Sequence, residues 1–206
     1  MTDLARRWPL AELADVRDAL LAAYQEPSRG YHDTVHLTEV LARLDELAGA
    51  GVAFDPTVAE LAAWFHDAVY DGERDAEERS AAWAEEALAG TPYADEVARL
   101  VRLTETHDPG PDDGLGRALC DADLAILAAP PDRYAAYVAG VRREYAHLAD
   151  DDFDAGRAAV LHDLAGRDEL FHTGHAREHW EPAARANLAR ELEALGGGGG
   201  PVGSSR

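Results

Sequence analysis

Residues 56–71 read PTVAELAAWFHDAVYD. The first ten are mostly apolar and begin with a proline, which suits the first turn of a helix, so the stretch predicts a buried helix that runs into WFHDAVYD. His66 and Asp67 then stand side by side in an apolar setting. A buried charge is costly without a partner, so the pair indicates either a bound ion or a hydrogen-bonded core histidine beside a helix-end aspartate.

Most of the 206-residue chain has the same helical pattern. Alanine and leucine dominate, whereas valine and isoleucine are few, which favours helices over strands. We predict one all-α domain, a helical bundle over residues 1–195 with additional C-terminal helices, and a disordered Gly-rich tail at 196–206. The His-rich segment HTGHAREH, 172–179, is predicted to be a loop. Helices are predicted at about 10–25, 34–47, 56–71, 75–89, 93–106, 115–128, 131–149, 152–165 and 178–195.

The chain is strongly acidic, with a formal net charge of −21. Its 19 basic residues are all arginine, a composition typical of a GC-rich bacterial genome. Such a surface repels phosphate backbones, so we expect no nucleic-acid binding, although a small phosphorylated substrate remains compatible. One cysteine permits no internal disulfide, and we find no signal peptide or apolar run long enough for a membrane span. We therefore expect a soluble cytoplasmic protein; the oligomeric state is undetermined.

Three segments place histidine or aspartate within an apolar helical pattern: RGYHDTVHL at 29–37, WFHDAVYD at 64–71 and CDADLAIL at 120–127. Imidazole nitrogens suit transition metals, and carboxylates add negative charge. Histidines and carboxylates drawn from three helices therefore predict a centre for a divalent metal ion.

Helix geometry limits how these residues can meet. His66 and Asp67 point about 100° apart, so both reach one ion only if it lies in the groove between them. His36 and an aspartate of 120–127 would close the far side. Asp71 lies four residues beyond Asp67 on the same predicted helical face, which makes it a candidate proton donor or hydrogen-bond partner.

The ordered pattern H…HD…D, formed by His36, His66-Asp67 and Asp123, resembles the HD superfamily of metal-dependent phosphohydrolases. Within it the chain is similar to a branch of predicted hydrolases, and the similarity covers about residues 10–195. The matching words are Y-x-E-P-x-R-x-Y-H-x-x-x-H at 24–36, F-H-D-x-V-Y-D at 65–71, D-x-E-x-x-S-A at 75–81, D-A-D-L-A-I-L at 121–127, R-E-Y at 143–145 and A-R-x-N-L-x-x-E-L at 184–192.

The resemblance implies that His36, His66, Asp67 and Asp123 bind the metal, which would be Mn, Mg, Fe, Co, Ni or Zn, as one ion or two. Asp121 is the alternative to Asp123. The two lie two residues apart, so they cannot both face the same way on a helix.

The implied activity is hydrolysis of a phosphate ester of a nucleotide or another small phosphorylated metabolite. Arg29, His32 and His107 are candidate substrate-binding residues, and Asp71 and Glu77 are candidate catalytic carboxylates. Each of these five also has an ordinary surface role as its alternative: an ion pair, an exposed histidine or a helix cap. The alternative hypothesis belongs to a different functional class: a non-catalytic metal- or nucleotide-binding module with a regulatory or partner-binding role.

Overall fold

A computed structural model describes residues 4–197, and this part of the chain confirms the all-α prediction. Ten α-helices and three short 3₁₀ turns are found in the described part, without a strand. The 3₁₀ turns are Leu4–Arg7, Ala11–Leu13 and Ala125–Ala128. The α-helices are α1 Ala14–Tyr24, α2 Thr34–Gly49, α3 Pro56–Phe65, α4 Ala76–Ala87, α5 Ala94–Leu103, α6 Gly114–Leu124, α7 Pro131–Glu144, α8 Asp150–Gly166, α9 Gly174–His179 and α10 Glu181–Gly197.

Aspartates begin three of the helices that build the centre of the molecule. Asp33, Asp55 and Asp113 are the N-caps of α2, α3 and α6, and each side chain accepts hydrogen bonds from backbone N–H groups of the first turn. These bonds satisfy donors that have no partner within the helix. The caps therefore fix where each of the three helices starts.

The third helix, α3, is the middle of the core. It packs against α2, α5, α6 and α4, and Trp64 and Phe65 at its end are fully buried. Trp8 contacts both aromatic rings edge-on, at centroid distances of 5.4 and 6.2 Å. A helix covered on all sides must be apolar around its whole circumference, which explains the sequence of α3.

The predicted continuation of α3 to residue 71 is wrong, because the helix ends at Phe65. In a continued helix the carbonyls of Asp67 and Ala68 would accept bonds from N–H groups four residues later. Here they accept bonds from the Arg29 guanidinium at 2.7 and 2.9 Å. The N–H of Val69 donates instead to Ser80 Oγ of α4. The chain therefore turns away at the His-Asp pair.

The C-terminal prediction is also corrected. Residues 174–179 of the segment predicted as a loop form α9, and the Thr173 side chain caps it by accepting from the N–H of Ala176. A separate helix, α10, follows after Trp180. Gly196 and Gly197 of the predicted tail are the last residues of α10, and the rest of the tail lies outside the described residues.

The loop before α2 lies directly on α7. A Cβ atom placed on Gly140 of α7 would lie 2.7 Å from Gly30 O, and one placed on Gly30 would collide with the Gly140 carbonyl. Only glycines permit this approach. The contact brings residues 30–32 beside the end of α7, where Glu144 lies. Among the described helices, none has the length and apolarity needed to cross a bilayer.

Candidate metal centre

Three elements bring four predicted ligands together. His36 lies in the first turn of α2, His66 and Asp67 follow the end of α3, and Asp123 lies in the last turn of α6. The two imidazoles are almost fully buried, with exposed side-chain fractions of 1–2%, and each carboxylate is 15% exposed. The groups therefore meet in the interior, but their carboxylates keep an opening to the surface.

The donor atoms of this cluster are closely and evenly spaced. His36 Nε2 and His66 Nε2 are 3.0 Å apart. Asp67 Oδ2 lies 3.3 and 3.0 Å from these two nitrogens, and Asp123 Oδ1 lies 3.1 and 3.5 Å from them. Ligands about 2.1 Å from one cation are separated by about 3.0 Å at right angles and about 3.4 Å at tetrahedral angles. The spacing of His36, His66 and Asp67 therefore fits one metal ion, and Asp123 lies beside the same two nitrogens.

A buried oxygen supports the same conclusion. Asp67 Oδ2 has no hydrogen-bond partner of proper geometry in the described part of the chain, although the two imidazole nitrogens are near. His66 Nδ1 lies 2.8 Å from Ala63 O. Because a carbonyl only accepts, Nδ1 carries the proton, and in the neutral ring Nε2 offers its lone pair to the cluster. His36, His66 and Asp67 could thus hold a metal ion.

The charges of the cluster are compatible with a bound cation. Burial by itself lowers the pKa of an imidazole, but Asp67 and Asp123 outweigh it and raise the pKa of His36 and His66. Burial likewise raises the pKa of a carboxyl, yet the histidines hold the pKa of Asp67 and Asp123 well below its usual range. The two carboxylates attract positive charge, which two protonated imidazoles or one divalent ion supplies.

The alternative ligand, Asp121, points elsewhere. Its two oxygens accept the backbone N–H groups of His172 and Thr173, both at 2.7 Å, and burial raises the pKa of this carboxyl. Asp121 therefore anchors the segment before α9, whereas Asp123 faces His36 and His66. The geometry selects Asp123 as the fourth candidate ligand.

The predicted substrate residue His107 contacts the cluster through Asp123. Its Nε2 lies 2.8 Å from Asp123 Oδ2. Its backbone φ is 51°, which is rare for a residue other than glycine and costs about 1–3 kcal/mol. The neighbouring His172 side chain lies 3.2 Å from the His107 carbonyl. The surrounding structure thus holds His107 in a strained conformation that places its ring at the metal centre.

His32 stands beside the cluster and is oriented by a residue that the ligand pattern does not contain. His32 Nδ1 lies 2.9 Å from Glu144 Oε2, and the ring stacks on Tyr70 at a centroid distance of 3.9 Å. Glu144 Oε1 accepts three backbone N–H groups, from residues 30–32, at 2.7 to 2.9 Å. Glu144 belongs to the sequence motif R-E-Y at 143–145, which is the one feature of the sequence that pointed to this residue.

The structure does not place Arg29 where a substrate reaches it. Its side chain is 1% exposed. Its two terminal nitrogens donate to the carbonyls of His32, Asp67 and Ala68. Tyr24 Oη accepts the N–H of Asp67 at 3.3 Å. The predicted phosphate contact of Arg29 is therefore corrected: together with Tyr24 it holds the turn that carries Asp67.

The two predicted catalytic carboxylates also lie apart from the cluster. Because α3 ends before them, Asp71 is not on the helical face of Asp67. It is exposed and forms two short bonds with the Arg79 guanidinium, at 2.7 and 2.6 Å, which keep its pKa well below the usual range. Glu77 lies in the first turn of α4, half-buried, outside the group of converging donors.

An open cleft of about 740 Å³ ends at the centre. Its inner end is formed by His32, His107 and Asp123, so a small molecule in the cleft would reach the candidate metal site. A smaller pocket of about 230 Å³ approaches His36 and Asp123 from α2 and α7. Comparison of the chain with protein-family models, with curated proteins and with solved structures gives no match.

Proposed function

We propose that this chain is a metal-dependent phosphohydrolase of the HD type, which hydrolyses a phosphate ester of a nucleotide or another small phosphorylated metabolite. The proposal rests mainly on one observation. The donor atoms of His36, His66 and Asp67 lie 3.0–3.3 Å from one another, and Asp123, 3.1 and 3.5 Å from the two histidine nitrogens, also lines the large cleft. A structural metal site is closed by protein, whereas a catalytic one is open to substrate.

The four ligands would hold one divalent cation, Mn, Mg, Fe, Co, Ni or Zn. When bound, such an ion polarises a phosphoryl oxygen and lowers the pKa of a bound water molecule. His107 donates a hydrogen bond to Asp123 and fixes the orientation of that carboxylate. Orientation of a ligand by a neighbouring hydrogen bond typically contributes 10–100-fold in affinity or activity.

His32 is the candidate proton donor for the leaving group. The alcohol oxygen needs a proton as its bond to phosphorus breaks and the water oxygen takes its place. Glu144 Oε2 accepts from Nδ1, so Nε2 is the ring nitrogen that remains to exchange a proton with a bound ester. His32 also lines the cleft, within reach of a bound ester. This role replaces the one predicted for Asp71.

The experiment combines metal analysis with a turnover assay. Protein stripped with a chelator is reconstituted separately with each of the six metals, and bound metal is measured by mass spectrometry. Phosphate release is then followed with 4-nitrophenyl phosphate and a panel of nucleotides and sugar phosphates. We expect bound metal and metal-dependent phosphate release. Metal binding without release from any ester would instead support the non-catalytic metal-binding module. Absence of bound metal would refute the hydrolase and leave only a nucleotide-binding module.

A further inference from the structure

The walls of the large cleft carry information about its ligand. Four tyrosines, Tyr31, Tyr70, Tyr137 and Tyr145, line it together with Phe153, and Tyr70 and Tyr145 are the more exposed of these rings. Eight further lining residues are aliphatic. Its volume of about 740 Å³ lies within the range of sites that bind small molecules. Aromatic rings offer large apolar surfaces that favour stacking against flat groups.

Two large hydrophobic residues at the cleft are exposed. Val160 of α8 and Tyr145 line the cleft and keep 52% and 36% of their surface accessible. A ligand that extends from the metal centre along the tyrosines would cover such a side chain. The gain from removing apolar surface from water would add to binding.

The cations of the cleft are already neutralised. Arg157 bonds to Glu191 at 2.7 Å and to Tyr137 Oη at 2.9 Å, and it is 9% exposed. Arg167 bonds to Asp163 at 3.0 Å. Both arginines that line the cleft therefore have carboxylate partners.

The remaining charges of the cleft are negative. Glu105 and Asp152 line it and are both exposed, and Asp163 is the partner of an arginine. The chain as a whole carries a net charge of −21. Away from the metal centre, a second anionic group on a ligand would thus meet carboxylates and no free cation, and like charges repel.

We propose that the cleft binds the alcohol part of a phosphate monoester, and that this part is an apolar, aromatic group without a further negative charge. The inference rests on the proposed function, because the phosphate would occupy the end formed by His32, His107 and Asp123. It assigns the specificity of the enzyme to the wall of the cleft. Nucleoside diphosphates and triphosphates, which carry additional phosphate charge, are poor ligands on this assignment.

Three esters of primary alcohols test the assignment without large differences in leaving-group chemistry: 2-naphthylmethyl phosphate, its 6-carboxy derivative and ethyl phosphate. We expect kcat/KM for the first to exceed that for each of the others by at least about tenfold, since buried apolar groups and unpaired charges discriminate on this scale. Equal values for all three, or a preference for the carboxylated ester, would overturn the assignment while leaving the hydrolase proposal standing.

A pair of variants that add the same charge, one at the cleft and one away from it, tests the role of the cleft. The preference is the ratio of kcat/KM for 2-naphthylmethyl phosphate to kcat/KM for its 6-carboxy derivative. Val160→Arg should lower this ratio at least about threefold, because the new cation pairs with the additional carboxylate. Ala155→Arg introduces the same charge at an exposed position of the same helix that does not line the cleft, and it should leave the preference unchanged. An equal effect of both variants would show that net charge, and not the cleft, sets the preference.

Binding to metal-free protein separates the two proposals. Fluorescence titration with 2-naphthylmethanol, which has no phosphate, should show saturable binding that Val160→Arg weakens and Ala155→Arg does not. Failure of these three esters while a nucleotide or sugar phosphate releases phosphate would refute the substrate assignment alone. Failure of every ester with every metal would refute the hydrolase proposal and the substrate assignment together. Phosphate release without binding of the alcohol would refute the substrate assignment alone.

Discussion

Two regions of this molecule combine histidines with carboxylates, and they differ in whether the carboxylate has hydrogen-bond partners. The candidate metal centre has an aspartate oxygen, Asp67 Oδ2, that lacks a proper donor among the described residues. The second region, here called the C-terminal histidine cluster, consists of His175, His179, Trp180 and Glu46. Its sequence, H-A-R-E-H, is as rich in potential ligands as the sequence around Asp67.

In the C-terminal histidine cluster, the carboxylate is fully engaged. Glu46 Oε1 is 2.9 Å from His175 Nε2 and accepts from Trp180 Nε1 at 3.0 Å, while Oε2 accepts from Arg43 at 2.6 Å. His175 and His179 stack at a centroid distance of 4.3 Å. Protein donors satisfy this carboxylate, so side-chain hydrogen bonds join α9 to α2 in this cluster. A site for a metal requires donors that the protein leaves without partners.

The largest expected effect comes from the carboxylate that lacks a partner. Asp67→Ala removes a candidate ligand and its charge, so we expect loss of bound metal and of phosphate release. Glu46→Ala removes the carboxylate of the other region and should keep the metal content of the wild type. Metal analysis of both variants decides between them. Equal metal loss in the two would contradict the distinction between these regions.

Asp71→Ala is the second control for the same prediction. Because Asp71 is exposed and paired with Arg79, its removal should change neither metal content nor turnover. A large loss of activity with retained metal would restore the proton-donor role that helical spacing predicts for Asp71.

The next effect concerns Glu144, which positions His32. Glu144→Gln keeps the size of the side chain but removes the carboxylate that accepts from His32 Nδ1, so we expect kcat to fall by about 10–100-fold with unchanged metal content. The fall should be absent in a His32→Ala background, where there is no imidazole to position. A reduction of the same size in that background would indicate a purely structural role for Glu144.

The contact that holds the His32 loop on α7 is expected to affect stability. Gly140→Ala places a methyl group 2.7 Å from Gly30 O, so we expect a loss of about 1–3 kcal/mol in the free energy of unfolding. Gly156→Ala in α8 meets nothing within 4 Å and should stabilise by about 0.5–1 kcal/mol. Denaturant unfolding measures both. A stable Gly140→Ala variant would show that the loop can shift away from α7.

The smallest effect belongs to the C-terminal histidine cluster and depends on pH. Bonds from His175, Trp180 and Arg43 outweigh burial and lower the pKa of Glu46 to about 2 from an ordinary value of 4.5. Stability from this carboxylate is therefore present above about pH 4.5 and is lost as the pH falls towards 2. The group is 37% exposed, and exposed ion pairs contribute at most about 1 kcal/mol.

Glu46→Gln should accordingly lower Tm by no more than about 2–4 °C at pH 7. The difference from wild type should shrink as the pH is lowered towards 2. A difference that stays constant over this range would mean that packing, and not charge, makes the contribution of Glu46.

The sequence predicted most helices and the residue types of the candidate centre, but several side-chain roles could not be predicted. Arg29 has the charge of a phosphate ligand, yet three backbone carbonyls occupy its guanidinium. In a continuous helix Asp71 would lie on the same face as Asp67, but α3 ends at Phe65, six residues before Asp71. Both errors arise because contacts with distant segments end a helix that local periodicity would continue.

Local sequence determined what each segment of this chain can be. Aspartate caps, proline at the start of α3 and the apolar stripes define helices, because these preferences act within one or two turns. The same local patterns put histidine and aspartate within buried helices or directly after one. Up to this level the all-α class and the candidate donors follow from the residues alone.

Only the tertiary structure decided which donors meet. Asp121 and Asp123 are equivalent as residue types, yet one accepts the backbone of residues 172–173 and the other faces His36 and His66. Their directions differ because α6 packs with one face towards α2 and another towards the segment before α9. The convergence of atoms from three helices depends on packing between residues far apart in the chain, which no local pattern specifies.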